Sequence, residues 1–228
     1  DPEGLANGKP EAFNGLVEGL VMSGLAMQKY RISSRPASGA GHQFSHVWEM
    51  EHLGMDQEPP LTHGFKVGLG TISVLALWEK VLEHDFTTLD VDTAVAKWPT
   101  AEEMEAKVRA NFTGDMLEPA VKQTMDKYLD ADALRERLEV VRSKWPTIQE
   151  RCRAQVMPAT RVEDIIKAVG GIYHPAQIGL TRERFHDTYY RCQMIRSRYT
   201  LLDLLIETGT ISDFVEPLGV RLVGPPCL

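Results

Sequence analysis

The sequence predicts an all-α fold, and three observations carry that prediction. Alternating β-branched runs are nearly absent, so half-buried strands have no pattern to form on. Apolar residues recur instead at three- and four-residue steps, the spacing that lines one face of a helix. Ser, Thr and Pro open these periodic stretches and Gly closes them, as helix ends require. The apolar fraction of 43% over 228 residues is enough for a sizeable core.

The opening "DPEGLANGKP" reads as a loop that leads into a helix starting at Pro10, a residue suited to a first turn. Phe13, Leu16, Val17, Leu20 and Val21 form one face of that helix. Gly15, Gly19 and Gly24 lie inside it, each costing about 1 kcal/mol against Ala, so close packing on a neighbour is expected there. A second helix is expected over 38–50, with Ser38 as N-cap. Gly54 and Pro59-Pro60 mark a loop. The third helix, from "HGFKVGLGTISVLALWEKVLEHD", is apolar on most of its circumference and belongs at the centre of the core. "KWPT" occurs at 97–100 and again at 144–147; Thr100 with Glu103 and Thr147 with Glu150 both read as capping boxes, local chemistry rather than a repeated domain. Further helices are expected over 101–112, 117–127, 131–144, 147–154, 161–169, 181–190 and 200–208, and the tail "PLGVRLVGPPCL" as a loop.

Bulk properties narrow the function classes. A net charge of −7 argues against a nucleic-acid partner, which needs a basic footprint. No apolar run is long enough to span a membrane, and no signal segment opens the chain. Cys152, Cys192 and Cys227 are an odd, sparse set without CxxC, which fits a reducing, cytoplasmic setting.

The chemistry gathers in "SSRPASGAGHQFSHVWEMEH", residues 33–52, which holds three of the seven histidines. His42 and His46 are four apart, on one helix face. The intervening loop is long enough to bring His63 beside them. The spacing resembles HExxH, but the catalytic Glu is missing, which removes a metalloprotease. Imidazole suits Zn, Ni or Fe, and a third ligand is needed; Glu49, Glu51, Asp56 and Glu58 are the local carboxylates, none evidently aimed inward. A histidine pair on a helix is more often structural or solvated than metal-bound, and His52 lies off the face. What raises the metal reading is the company: Arg35 can grip a phosphate in bidentate fashion, Ser33, Ser34 and Ser38 add hydroxyls, and the helix start near 39–41 adds free amides. Cation, hydroxyls and histidines together suit a small phosphorylated substrate. "VGLGT" at 67–71 contains GxG, but it follows no strand and sits in a helix pattern, so it is not a dinucleotide loop.

"SGLAMQKYRISSRPASGAGHQFSHVWEM" and "LTHGFKVGLGTI", with "YYRCQMIRSRYTLLDLLIETG" near the end, resemble the C-terminal helical domain of sn-glycerol-1-phosphate dehydrogenases. These belong to the superfamily of iron-containing alcohol dehydrogenases, glycerol dehydrogenases and dehydroquinate synthases. The resemblance covers most of the chain. It implies that 1–228 are a C-terminal metal- and substrate-binding helical domain, whose N-terminal Rossmann-like partner binds NAD(P) and lies outside this chain. It implies a divalent metal, Zn or Ni, held by His42 and His63 together with an upstream Asp that this chain does not contain. His46 then faces the substrate in a catalytic role, and Ser34, Arg35, Ser38, Ser45 and Lys66 are expected to bind substrate. The implied reaction is NAD(P)-dependent interconversion of dihydroxyacetone phosphate and glycerol 1-phosphate, in phospholipid biosynthesis, with the isolated chain inactive. Another polyol dehydrogenase, a dehydroquinate synthase-like enzyme and a non-catalytic helical module are the alternatives. A homodimer is compatible with the glycine-rich, apolar helices. Two positions depart from the family pattern, Gly41 and Phe65, where Glu is common; both bear on substrate choice and fine geometry.

Overall fold

A computed structural model describes residues 1–30 and 33–222, and among them every regular element is helical. In chain order these are α1 (Pro2–Ala6), α2 (Pro10–Lys29), α3 (Ala40–Met50), α4 (His63–Val81), α5 (Val91–Ala96), α6 (Ala101–Asn111), α7 (Leu117–Met125), α8 (Ala131–Arg153), α9 (Ala159–Ala168), α10 (Arg182–Arg191), α11 (Leu201–Glu207) and α12 (Ile211–Leu222). Short 3-10 turns at Phe86–Thr88, Gly114–Met116, Pro175–Ile178 and Cys192–Ile195 join some of them. No helix among the described residues is long and apolar enough to cross a membrane.

The all-α prediction holds, and several boundaries shift for physical reasons. The N-terminal stretch expected as a loop begins with α1, because the Asp1 side chain accepts from the Gly4 amide and Pro2 suits a first turn. The helix expected from Ser38 begins at Ala40 with Gly39 as N-cap; the Ser38 carbonyl is taken instead by Arg198. The two helices expected around Pro146 are one, α8. Trp145 is buried and donates from Nε1 to the His84 carbonyl at 2.9 Å, and Gln149 donates to the Leu82 carbonyl at 2.8 Å. Those anchors hold the helix through the proline, so the Thr147 box does not form, while the Thr100–Glu103 box does. The tail expected as a loop is helical to Leu222; Cys227 lies outside the described residues.

The core is organised by α4. Leu69, Ile72, Leu77 and Val81 are nearly fully buried on it, and α3, α9 and α12 pack around it. On the far side of α3, Phe44 and Trp48 meet Phe185 and Tyr189 of α10 edge-on or stacked, and Trp48 Nε1 donates to Thr188 Oγ1 at 3.0 Å. Glu51 then pins α3 to α10 through Arg184 and Arg191.

α2 behaves differently from the expectation of close packing. Only Ala12 is buried on it, and Val17, Leu20 and Met22 are each more than half exposed. A Cβ built on Gly15, Gly19 or Gly24 meets no described atom within 4 Å.

A buried polar network fixes the chain between Cys192 and Glu207. Lys127 Nζ pairs with Asp203 Oδ1 at 2.6 Å and is capped by the Gln193 side chain at 2.9 Å. Arg137 pairs with Glu207 at 2.6 Å, and the Tyr199 hydroxyl donates to the other Glu207 oxygen at 2.9 Å. Burial raises the Glu207 pKa against the opposing pull of Arg137. A carboxyl that binds its proton more tightly when folded makes stability fall as pH climbs from its ordinary value of 4.5 through the raised one. Glu207→Gln is therefore expected to flatten the pH dependence of denaturant stability in the range just above 4.5, and an unchanged slope would refute the assignment.

Candidate active site

The loop from Ser33 to Gly39 and the first two turns of α3 face the N-terminus of α4, which begins at His63 with Thr62 as N-cap. The two helices approach very closely. A Cβ on Gly41 would lie 2.9 Å from the Thr71 amide, and one on Gly70 would lie 2.3 Å from the Gly41 carbonyl. The GxG glycine of α4 thus serves helix crossing, and Gly41 answers to the same contact.

That crossing brings His42, His46 and His63 together. Their ring centroids are 5.2 Å (His42–His46), 4.8 Å (His42–His63) and 5.7 Å (His46–His63) apart. His42 Nε2 and His63 Nε2 are 3.0 Å apart. Glu49, which the sequence left among several carboxylates, lies on the cluster. Its Oε1 is 2.6 Å from His63 Nδ1 and its Oε2 3.3 Å from His46 Nδ1. His42, His46 and Glu49 stand at i, i+4 and i+7 on α3, and that spacing was the available signal. Glu51 is committed to the arginines of α10, and His52 is exposed with φ 55°.

The geometry selects tautomers. A carboxylate can only accept, so Glu49 holds the proton of His63 on Nδ1 and leaves Nε2 with a free lone pair. Burial lowers the pKa of His42, and the nearby His63 and His46 lower it further. Burial also lowers that of His46, with the charge of Arg196 next and Glu49 opposing. Neutral imidazoles are the form that ligates metals. Two nitrogens 3.0 Å apart suit a shared divalent ion, since bonds of about 2.0–2.1 Å meeting near a right angle give about that separation. Among the described residues no group of three or more His, Cys, Asp or Glu forms a complete ion-holding set. The fit is that of a two-histidine partial site.

The other expected site residues divide. Ser34 Oγ accepts from Arg198 Nη2 at 2.6 Å, and Arg198 Nη1 donates to the Ser38 carbonyl at 2.6 Å. Arg35 is exposed, its amide donating to Ser33 Oγ at 3.3 Å. Ser45 is fully buried and its hydroxyl donates to the His42 carbonyl at 2.8 Å, because a serine inside a helix readily bonds back one turn. Lys66 is buried on α4 at 2% exposure, and among the described residues no carboxylate pairs with it. Phe65 is partly exposed beside His63. A cleft of about 540 Å³ opens beside His42, lined by Gly41, Val67, Thr71 and Trp78 and closed by Tyr199–Leu201. Sequence reasoning missed Arg196 and Arg198, which lie more than 130 residues from the histidines and reach them only through the tertiary fold.

No family model and no solved structure matches the chain. Curated proteins do. The chain is 28% identical over 208 residues to the glycerol-1-phosphate dehydrogenase (NAD(P)+) of Geobacillus thermodenitrificans, covering 90% of this chain and 41% of that protein. It is 33% identical over 136 residues to the protein of that name from Archaeoglobus fulgidus, and 50% identical over 64 residues to that of Halalkalibacterium halodurans. The matches lie in the C-terminal parts of these relatives, and the chain spans about two fifths of the length of the Geobacillus protein.

Proposed function

We propose that this chain, a relative of the glycerol-1-phosphate dehydrogenases over the C-terminal part of their length, is the metal- and substrate-binding domain of an NAD(P)-dependent oxidoreductase acting on dihydroxyacetone phosphate and glycerol 1-phosphate. The observation that supports it most is the meeting of His42 Nε2 and His63 Nε2 under the control of Glu49. These two histidines would hold a divalent ion, Zn or Ni, completed by an Asp from the polypeptide that relatives carry upstream. When bound, such an ion acts as a Lewis acid toward a carbonyl or alcohol oxygen.

The chain's own residues do the rest. Glu49 orients His63 and His46 through their Nδ1 protons. With Nδ1 protonated, His46 Nε2 is the atom that can accept the alcohol proton and return it to the carbonyl oxygen. The buried walls of α3 and α4 limit water on one side of the reacting carbon. The nucleotide is expected on the upstream part of the relatives, so this chain alone carries no hydride transfer.

The test is an amide NMR titration of the metal-loaded chain with dihydroxyacetone phosphate, dihydroxyacetone and glycerol. A preference for the phosphorylated ketone of about tenfold or more, the scale of one charge-assisted bond, is the expected result. Equal affinities would point to another polyol dehydrogenase, and no binding at all would sink the assignment.

A further inference from the structure

Among the described residues, little of the chain covers the apolar side of α2. Its first turn is seated on α1, where Ala12 is buried and a Cβ on Gly4 would lie 2.9 Å from Ala12 Cβ. Its last turn is tied back by the Ser33 amide, which donates to the Met27 carbonyl at 3.2 Å. The helix is therefore formed and held at both ends, yet Phe13, Leu16, Val17 and Leu20 are 46%, 46%, 56% and 65% exposed. These residues belong to a heptad seam. Phe13, Leu20 and Met27 recur every seven positions, Leu16 and Ser23 follow three on, and Val17 and Gly24 four on, which places them all on one side of the helix. The charged residues of α2, Glu11, Glu18 and Lys29, stand on the opposite side, about half a turn round from Leu20. The seam itself carries no charge that a covering surface would have to neutralise.

We infer that α2 is a self-association surface, on which the seam of a second copy of this chain lies antiparallel about a two-fold axis at Leu20. Side-chain size selects both the occupant and the direction. Antiparallel pairing about Leu20 sets Leu16 against Gly24 of the other copy, Val17 against Ser23 and Phe13 against Met27, with Leu20 on itself. Each bulky residue of the central turns thus meets a small one, as close packing requires, and a Cβ on Gly24 meets no described atom within 4 Å, so that space is open to receive Leu16. Parallel pairing would crowd Phe13 and Leu16 on their own copies at one end and face Ser23 and Gly24 on theirs across a void at the other. A two-fold interface must be self-complementary, and a size order mirrored about one residue is what that demands; a partner of unrelated sequence does not require it. Antiparallel helices also set their dipoles in the favourable sense. The 20 residues of α2 extend about 30 Å. Two such seams laid together remove on the order of 1,000 Å² from water, the lower range of a specific interface, so the dimer is expected to dissociate at micromolar concentration. This surface is separate from the histidine site, and the inference does not rest on the reading of that site.

The experiment is sedimentation velocity of the chain over a concentration series, with helical content and urea unfolding recorded for every variant. A monomer–dimer equilibrium that stops at the dimer is expected. Leu20→Glu and Leu20→Lys, each placing like charges together on the two-fold axis, should raise the dissociation constant at least tenfold, the scale of about 1.4 kcal/mol or more for a central interface residue. Leu20 is 65% exposed, so neither change should alter the fold. Mixing the two variants should restore the dimer, because the charges on the axis are then opposite. Mixing Leu16→Glu with Gly24→Lys should also restore it, which only the antiparallel register allows. Met22→Glu is the control: Met22 is 60% exposed but lies on the side away from the seam, and association should be unchanged. A parent chain that stays monomeric at every concentration would overturn the inference and leave the seam to the polypeptide that relatives carry upstream. Open-ended aggregation, or equal loss of association in Met22→Glu, would overturn it in favour of non-specific apolar contact. Failure of the Leu16→Glu and Gly24→Lys mixture to dimerise would overturn the antiparallel pairing.

Discussion

His42→Ala and His63→Ala are each expected to remove the uptake of Zn or Ni by the purified chain, measured by equilibrium dialysis with metal analysis. The two Nε2 atoms are 3.0 Å apart, and among the described residues no third His, Cys, Asp or Glu completes the set. Losing either nitrogen leaves one ligand, and one imidazole on an open surface does not retain a metal against water. Glu49→Gln tests the layer behind. It keeps the side-chain volume but weakens the hold on His63 Nδ1, and an outer partner of this kind is worth about 10–100-fold in metal affinity. The expected order is therefore His42→Ala and His63→Ala worst, Glu49→Gln intermediate, and His52→Ala unchanged, because His52 is exposed and lies off the cluster. Retained stoichiometric metal in both histidine variants would remove the metal reading. Metal lost equally in His52→Ala would point to general surface binding instead.

The sequence carried most of the helices because burial imposes a period on them. α4 was legible as the core helix since its apolar residues run round most of its circumference, and Leu77 and Val81 are indeed fully buried. Capping chemistry was legible where local bonds decide, as at Thr100, and failed where tertiary anchors outweigh them, as at Thr147 behind the buried Trp145. The histidine pair of α3 was legible as a face. Its place against His63 depended on a loop whose path no periodicity describes. Glu49 was legible in principle from i+7 spacing, but the choice among four nearby carboxylates needed the structure. Arg196 and Arg198 carried no local signal at all. Ser45 shows what a motif leaves out: a hydroxyl inside it is bonded to its own helix, a backbone bond that the sequence pattern does not display.

Gly70→Ala is expected to destabilise the chain by about 3 kcal/mol or more and to abolish metal uptake with it, a coupling that an ordinary core substitution does not produce. The added methyl would stand 2.3 Å from the Gly41 carbonyl and 2.9 Å from Phe44 Cβ. The first of these is backbone and cannot swing away, so α3 and α4 must part. His42 follows Gly41 directly on α3, and His63 sits two turns before Gly70 on α4, so parting the helices separates the two Nε2 atoms. Gly41→Glu, which restores the residue common in the resembling family, meets the same obstacle from the other side, with the Thr71 amide 2.9 Å away. Glycine at 41 is thus a packing requirement of this crossing. The matched control is Gly19→Ala in α2, where nothing lies within 4 Å, and there the change should stabilise by up to about 1 kcal/mol through helix propensity alone. Urea unfolding and metal uptake measured on the same samples decide the matter. If Gly70→Ala unfolds at the same urea concentration as the parent chain, the helices are not in contact at this point and the histidines must be brought together by something else. If it is destabilised yet still binds metal fully, the crossing supports the fold without setting the ligand geometry.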